Sequence, residues 1–409
     1  MVKLRIRNFG PIKGGFQGDD GWFEINKVTV FIGNQGSGKS TVAKLISIFM
    51  WLEKALVRGD IKADALSFQK FKEFFEYHRI ENYFNFDTEL EYKGKSFQIQ
   101  YYNEMITTLE LKNKSIKQGK IMYVPSERNF LSSIANINKV SDLIGGNLKE
   151  YAVEFRYAQK AFSNKSLKLP INNTKVIYDA ISDENYIEFN KNKRLKLVEA
   201  SSGFHSLVPL YWVTKYLSDL VKRDDAELLE LLSTDQTIRR NKELKEFNLK
   251  ELDEKKLLEN IRKINDKYIS KFLVNIVEEP EQNLFPNSQR ELLNSLLAFN
   301  NGNNMLIMTT HSPYLINYLS LAVEAHKFKE KRRKMSDDLK SKLDSIVPAN
   351  ATLPAAKLVI YQMDDEKGTF ERLANYYGLP SDENYLNESL GETNKLFSEL
   401  LSLEDIVCQ

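Results

Sequence analysis

Continuous apolar runs of strand length recur along the chain, and segments with helical spacing separate them. The runs KVTVFIG, KFLVNIVEE and NMLIMTTHS occupy Lys27–Gly33, Lys271–Glu279 and Asn304–Ser312. Such runs predict strands that are buried on both faces, as in a parallel sheet covered by helices. Val2–Arg7 instead alternates apolar and charged residues, which predicts an edge or half-buried strand.

Alternation with period two returns in 89–115 and in 174–200, and it predicts antiparallel strands joined by turns. Helical spacing predicts a helix from Ser40 to about Leu56 and a charged helical region from Tyr211 to Lys267. Buried strands that alternate with helices indicate an α/β fold with a mixed sheet, an antiparallel subdomain and helical insertions.

The same patterns suggest how the chain is divided into lobes. The predicted segments are an N-terminal lobe over 1–128 with a helical insertion at about 53–84, a second lobe over 129–215, a charged helical insertion over 216–268 and a C-terminal lobe over 269–409. Charged helices of this kind often form contact surfaces, so we expect both insertions to project and to bind a partner chain or further copies of this one. A plain solvated cap is the alternative.

Composition narrows the class of protein. The 409 residues carry 58 basic and 56 acidic side chains, so any basic surface must be local. The single cysteine, Cys408, excludes a disulfide framework and suits a reducing compartment. Leu292–Val323 is the longest uncharged run, and polar groups interrupt it before it reaches the roughly 20 apolar residues of a bilayer span. We therefore expect a cytoplasmic protein with no membrane contact.

The strongest chemical motif lies between the first buried strand and the first helix. The stretch satisfies GxxxxGK[ST], in which glycines let the backbone wrap a phosphate and the helix N-terminus adds its dipole. Lys39 would place its charge between the outer phosphates, and the Ser40 hydroxyl would ligate Mg²⁺. ATP or GTP is the predicted ligand. The predicted nucleotide-binding residues are Gly33, Asn34, Gln35, Gly36, Ser37, Gly38, Lys39, Ser40 and Thr41.

Two adjacent acids end the second buried strand. In phosphate-loop proteins a strand of this kind carries carboxylates to the magnesium. Strand alternation would point Glu278 and Glu279 to opposite sides, with Glu278 in the Mg²⁺ shell and Glu279 as the general base for the attacking water. A solvated acidic turn is the alternative when this motif is taken alone.

His311 follows the third buried strand, which one helix separates from the acidic strand. We expect the two strands to be parallel neighbours, so His311 would reach the γ-phosphate or the attacking water. A further segment, EASSGFHS at Glu199–Ser206, precedes a long apolar helix. Serine and glycine at a helix start form an anion-binding N-terminus, although caps of this kind are common.

The order of these motifs resembles that of the ABC-type ATPases, and within them the branch of SMC, RecF and OLD proteins and the related ATPases of prokaryotic anti-phage systems. NFGPIK, YVPSER, EEPEQNLFP and THSPYLIN carry the resemblance. It implies ATP hydrolysis to ADP and phosphate, with Mg²⁺. It also implies a head-to-tail homodimer, or a higher homo-oligomer, in which Ser202 and Gly203 cap the γ-phosphate bound at the Lys39 of the other copy. Asn283–Phe285 would cross that interface.

Several positions depart from the pattern of the family. The signature LSGGQ is reduced to SSGFH, so only Ser202 and Gly203 carry over. YVPSER has no glutamine, and Ser126 or Glu127 would contact magnesium or water in its place. The chain lacks the long heptad arms of a condensin-like rod. QMDDEK, at Gln362–Lys367, is acidic but has the pattern of a hairpin turn rather than of a metal site.

Three functions remain open on the sequence. The first is an ATP-driven sensor or switch that controls a separately encoded effector, a nuclease or toxin, in anti-phage defence. The second is a repair or recombination ATPase that clamps duplex DNA, and the third is a scaffold that binds ATP and hydrolyses it slowly. Nucleic-acid binding is possible, since His326–Met335 holds six basic residues, but a solvated helix face is an equal alternative.

Overall fold

A seven-stranded sheet forms the centre of the computed structural model, which describes residues 2–112, 117–134, 144–190, 193–246 and 254–407. In spatial order its strands are β2 (Gly15–Phe16), β16 (Thr369–Arg372), β15 (Leu358–Asp364), β4 (Val28–Gly33), β14 (Met305–Thr310), β13 (Ser270–Glu278) and β8 (Gln118–Val124). The five strands from β15 to β8 are parallel, whereas β16 runs antiparallel to β15. The carboxyl ends of β4, β13 and β14 therefore meet at one edge.

Helices cover both faces of this sheet. The described helices are α1 (Lys39–Arg58), α2 (Phe68–Tyr77), α3 (Phe130–Ser133), α4 (Gly146–Ala161), α5 (Ser202–Leu220), α6 (Asp225–Glu230), α7 (Thr234–Glu246), α8 (Glu254–Tyr268), α9 (Pro286–Phe299), α10 (Pro313–His326), α11 (Asp337–Ile346) and α12 (Tyr385–Val407). Val30 and Ile32 of β4 point into a core that α4, α5, α9 and α10 share, and Phe31 points into a second core with α1 and α2. Because β4 is buried on both faces, its residues form an uninterrupted apolar run.

Three antiparallel groups of strands complete the fold. The first is a five-stranded sheet over α1, the second a four-stranded sheet beside α4 and α5, and the third a short hairpin near the C-terminus. The five-stranded sheet contains, in spatial order, β3 (Phe23–Ile25), β1 (Val2–Phe9), β5 (Phe84–Lys93), β6 (Phe97–Tyr102) and β7 (Met105–Glu110). The four-stranded sheet contains β12 (Lys193–Lys196), β11 (Glu184–Asn190), β10 (Lys175–Asp179) and β9 (Leu167–Lys168). The hairpin consists of β17 (Asn375–Tyr376) and β18 (Leu379–Pro380). The α/β fold class with a mixed sheet and an antiparallel subdomain is thus confirmed.

The helical insertion at 53–84 was expected to project, and this expectation is wrong for its helix α2. Phe71 and Phe75 of α2 are fully buried, and their rings pack against Phe84 and against each other beneath the five-stranded sheet. The aromatic residues at helical spacing thus belong to the second core. The charged α7 does lie at the surface, where Glu243 accepts a hydrogen bond from Tyr268 at the end of α8.

Some predicted features lie outside the described residues, among them Cys408 and parts of the alternating segments 89–115 and 174–200. Within the described part of the chain, no helix combines the length and the apolar character that crossing a bilayer requires. The division into four lobes stays a prediction.

Candidate nucleotide-binding site

The loop between β4 and α1 has a backbone that glycine alone adopts readily. Gly33, Gly36 and Gly38 have φ angles of 144°, 80° and 96°. A Cβ on Gly33 would lie 2.7 Å from the carbonyl oxygen of Met363, so the neighbouring strand as well as the φ angle requires a glycine there. The loop then enters α1, whose first backbone N–H groups have no partner within the helix. This cradle fits a phosphate group.

Lys39 lies inside the loop rather than in solvent. Its Nζ donates to the carbonyl oxygens of Gly33 and Asn34 at 2.9 and 2.6 Å, and it lies 3.2 Å from Ser37 Oγ. Burial lowers the pKa of Lys39 to about 8, and nearby carboxylates, of which Glu279 is the first, oppose this shift. The loop carbonyls thus hold the ammonium group inside the loop, where the phosphate is expected to lie.

The other residues of the loop differ in how far they are exposed. Thr41 is buried at the start of α1, Ser40 is half-buried, and Gln35 is exposed. Asn34 Nδ2 donates to Asp365 Oδ1 at 3.1 Å, which joins the loop to the turn between β15 and β16. The acidic segment QMDDEK comprises the end of β15 and the first residues of this turn, so its interpretation as part of a hairpin is confirmed.

The two acids at the end of β13 differ in backbone and in burial. Glu278 is only 4% exposed, and its Oε2 accepts a hydrogen bond from the backbone N–H of Ser126 at 3.2 Å. Glu279 has a left-handed backbone with φ 43°, and its N–H donates to Thr309 O of β14 at 3.0 Å. Strand alternation was expected to point the two side chains to opposite sides. The direction of the Glu279 side chain is set instead by this left-handed turn, so the predicted reason is wrong. Burial, followed by the charge of Glu278, raises the pKa of Glu279.

The structure brings His311 to Glu279. As predicted, β14 is the parallel neighbour of β13, and His311 Nε2 lies 3.8 Å from Glu279 Oε1. Burial, followed by the charge of Lys39, lowers the pKa of His311, which favours the neutral imidazole. The backbone N–H of His311 donates to Glu281 Oε1 at 2.7 Å. Glu281 was not predicted from the sequence, because it is one of three acids from the end of β13 to the next helix and no local pattern distinguishes it.

Arg128 is the second residue that sequence reasoning missed. Its buried guanidinium donates to the carbonyl oxygens of Pro125 at 3.2 Å, Glu278 at 2.7 Å, Glu279 at 2.6 Å and Ser206 at 3.2 Å. One side chain thus joins the segment after β8, the acidic turn and α5. The arginine stands in YVPSER, but an isolated charge in a sequence carries no sign of burial.

Ser126 and Glu127 lie next to the acids, beyond the end of β8. Ser126 Oγ lies 3.3 Å from Glu127 Oε2, and the Ser126 backbone contacts Glu278 as described above. Their predicted contact with magnesium or water stays a prediction. The described residues hold no group of three or more His, Cys, Asp or Glu side chains arranged as a metal site. A single acid with the Ser40 hydroxyl nevertheless suits Mg²⁺, which keeps water and phosphate oxygens as its other ligands.

Ser202 and Gly203 open α5 at the surface, where Ser202 is exposed. In the described part of the chain no hydrogen bond joins either residue to the phosphate loop. They lie instead beside the segment after the acids: a Cβ on Gly203 would be 3.0 Å from Asn283 O, and Asn283 Nδ2 donates to Ser206 Oγ at 3.0 Å.

Comparisons with known proteins give distant likenesses in structure. No protein-family model and no curated protein matches the chain. The SMC head domain from Thermotoga maritima is 12% identical with a TM-score of 0.38, over 91% of this chain and 98% of that one. An Smc head domain with an extended coiled coil, bound to the C-terminal domain of ScpA and derived from Pyrococcus furiosus, is 12% identical with a TM-score of 0.36, over 98% and 100%.

An ATP-binding cassette in a dimeric post-hydrolysis state, bound to ADP and Pi, is 11% identical with a TM-score of 0.30, over 92% of this chain and 100% of that one. The fold itself is α/β, with a mixed central sheet, a glycine-rich loop before α1, an antiparallel sheet over that helix and helical insertions. Its assignment as a P-loop NTPase of ABC-ATPase type stays a prediction.

Proposed function

We propose that this protein binds ATP with Mg²⁺ at the loop from Gly33 to Thr41 and hydrolyses it to ADP and phosphate. The observation that carries the proposal is the meeting of Lys39, Glu279 and His311 at one sheet edge. Glu279 and His311 are 3.8 Å apart, and both are close enough to Lys39 for their pKa values to respond to its charge. Sequence motifs that matched only by chance would not be expected to meet at one place in the fold.

The roles of the side chains follow from their positions. Ser40 and Glu278 would hold the Mg²⁺, which when bound draws charge from the β- and γ-phosphates. Glu279 accepts a proton from a water whose oxygen attacks the γ-phosphorus, while the bond to the β–γ bridging oxygen breaks. The raised pKa of Glu279 makes it a better base than an exposed carboxylate. Neutral His311 is placed to orient that water, and Lys39 stabilises the charge that develops on the leaving group.

The expected consequence is that Glu279→Gln binds ATP but hydrolyses it slowly, because the amide cannot take the proton. Loss of a general base costs roughly 10²–10⁴-fold in rate. Single-turnover ATP hydrolysis and ATP binding by calorimetry would separate the two effects. Glu291→Gln, on α9, is the matched control and should keep the normal rate. Normal turnover by Glu279→Gln would transfer the role to Glu127 or His311.

We further propose that two copies pair head to tail, so that Ser202 and Gly203 of one copy cap the γ-phosphate at the Lys39 of the other. Two features support this arrangement. The N-terminus of α5 is exposed, as a cap acting on another molecule requires. Phe285 is 74% exposed in the adjoining segment from Asn283, where an apolar ring gains by being covered.

The dimer would act as a sensor or switch for a separately encoded effector, a nuclease or toxin, in anti-phage defence. Arg128 supports this, since it joins α5 to the acidic turn and would let the cap and the base respond to the same event. A switch requires an effector that binds the closed and open states unequally. Co-purification of the product of the neighbouring reading frame with Glu279→Gln, with and without ATP, measures this. Equal recovery in both conditions would make the protein a scaffold instead.

A further inference from the structure

A cavity of ≈ 340 Å³ lies between α1, α2, α4 and β8, behind the helix that follows the phosphate loop. Its size is within the range of about 300–1,000 Å³ that small-molecule sites occupy. None of the nucleotide-binding residues described above lines it, because α1 contributes its third and fourth turns through Ser47, Ile48 and Trp51. The cavity is therefore a separate site.

Aromatic rings form most of the wall. The rings of Trp51 and Phe74 lie 5.1 Å apart at 44°, and those of His78 and Tyr123 lie 4.8 Å apart at 71°. Trp51 remains 43% exposed, so part of its ring is accessible to a ligand. These surfaces are suited to a flat ring that stacks on them.

His78 supplies a polar group without a protein partner. It is only 3% exposed, and its Nδ1 finds no hydrogen-bond partner among the described residues. Burial, followed by the charge of Lys44, lowers the pKa of His78 to about 3, so the imidazole is neutral at physiological pH. A buried nitrogen in this state needs a hydrogen-bonding partner, and a ligand in the cavity can be that partner.

The charges at the cavity determine the kind of ligand. Glu73 and Glu150 line it, and the Tyr77 hydroxyl donates a hydrogen bond to Glu150. No lysine or arginine of the described chain lines the cavity, so a phosphate or carboxylate would meet two carboxylates and no cation in direct contact. The carboxylates instead accept hydrogen bonds from N–H donors. A ligand must thus be flat, free of negative charge and equipped with N–H groups.

We propose that the cavity binds a nucleobase or nucleoside, with the base stacked on Trp51 and Phe74 and its N–H edge turned to Glu150 and Glu73. Guanine fits best, because its ring N–H and its amino group lie side by side and match one carboxylate. Base–aromatic stacking of this kind accepts any base, so the carboxylates supply the preference.

The cavity reaches β8, which lies beside the strand that ends at the candidate metal ligand Glu278, and this position suggests its use. Tyr123 belongs to β8, which pairs in parallel with the strand that ends at Glu278. An occupied cavity would fix the ring of Tyr123 through His78 and so change the ATP hydrolysis rate. This second part rests on the proposed ATPase activity, whereas nucleoside binding does not.

Calorimetric titration of guanosine, adenosine and uridine into the full-length Lys39→Ala protein tests binding apart from ATP chemistry. Guanosine should bind saturably and at least tenfold more tightly than uridine. Trp51→Ala and Glu150→Gln should each weaken it about tenfold, whereas the matched controls Trp22→Phe and Glu76→Gln should not. Absence of saturable binding up to millimolar nucleoside, or binding that Trp51→Ala leaves unchanged, would overturn the site. Equal binding of all three nucleosides would overturn the role of the carboxylates.

The effect on hydrolysis is measured in the unsubstituted protein. Saturating guanosine should change kcat for ATP at least twofold, and the change should disappear in Trp51→Ala. Binding without any change in kcat would contradict the regulatory role. Failure of the protein to hydrolyse ATP at all would instead contradict the proposed function, and the titration of the Lys39→Ala protein would still decide whether the cavity binds nucleosides.

Discussion

At the scale of single residues, the guanidinium of Arg128 joins more segments of the candidate site than any of the predicted site residues does. Its four acceptors are backbone carbonyls of Pro125, Glu278, Glu279 and Ser206, so it fixes main-chain positions rather than another side chain. Desolvation of the buried cation lowers the pKa of Arg128, and the nearby Tyr151 and carboxylates oppose this shift. We regard Arg128 as a positioning residue that acts through Glu279.

Arg128→Lys should leave the KM for ATP nearly unchanged and lower kcat about 10²-fold, because lysine cannot reach four carbonyls in a planar fork and the base shifts by about 1 Å. Lost hydrogen bonds to a charged group should also cost about 3 kcal/mol of unfolding free energy. Steady-state kinetics and urea unfolding measure both. Arg239→Lys, which changes a surface ion pair with Asp60, is the control. If KM for ATP rose by as large a factor as kcat fell, Arg128 would have only a structural role.

At the scale of elements, the sequence predicted the parts that repeat a simple physical pattern. The strands β4, β13 and β14 are buried on both faces, so their apolar runs identified them and the single helix α9 between β13 and β14 implied parallel neighbours. The apolar spacing of α1 and the glycines before it likewise placed the phosphate loop.

The elements that were predicted poorly depend on contacts distant in sequence. The helix α2 is buried because the five-stranded sheet covers Phe71 and Phe75. The charged residues on its other face had suggested a projecting helix. The left-handed turn at Glu279 depends on the hydrogen bond to Thr309, which lies one strand away. Residues such as Arg128 and Glu281 carry no local signal, because their partners become neighbours only in the folded chain.

At the scale of the whole molecule, the proposed site is incomplete in one copy. The phosphate loop, the acids and His311 meet at one edge of the central sheet. Gly203 lies beside Asn283 of the same chain, and neither Ser202 nor Gly203 has a hydrogen bond to the loop among the described residues. The exposed Phe285 lies next to this second surface. If the Ser202 and Gly203 of one copy act on the loop of another, a second copy related by two-fold symmetry completes both sites at once.

Mixing inactive variants tests this arrangement. A Lys39→Ala chain keeps its Ser202 cap, and a Ser202→Arg chain keeps its phosphate loop, so each mixed dimer has one intact composite site. With random exchange at equal amounts and independent sites, about a quarter of the normal ATPase rate should return. Lys39→Ala mixed with Glu279→Gln is the matched control and should recover nothing, because Lys39 and Glu279 act in the same copy. Absence of recovery at any ratio, in mixtures shown by sedimentation to form dimers, would argue against head-to-tail pairing. Recovery in the control as well would place the base and the phosphate loop on different copies.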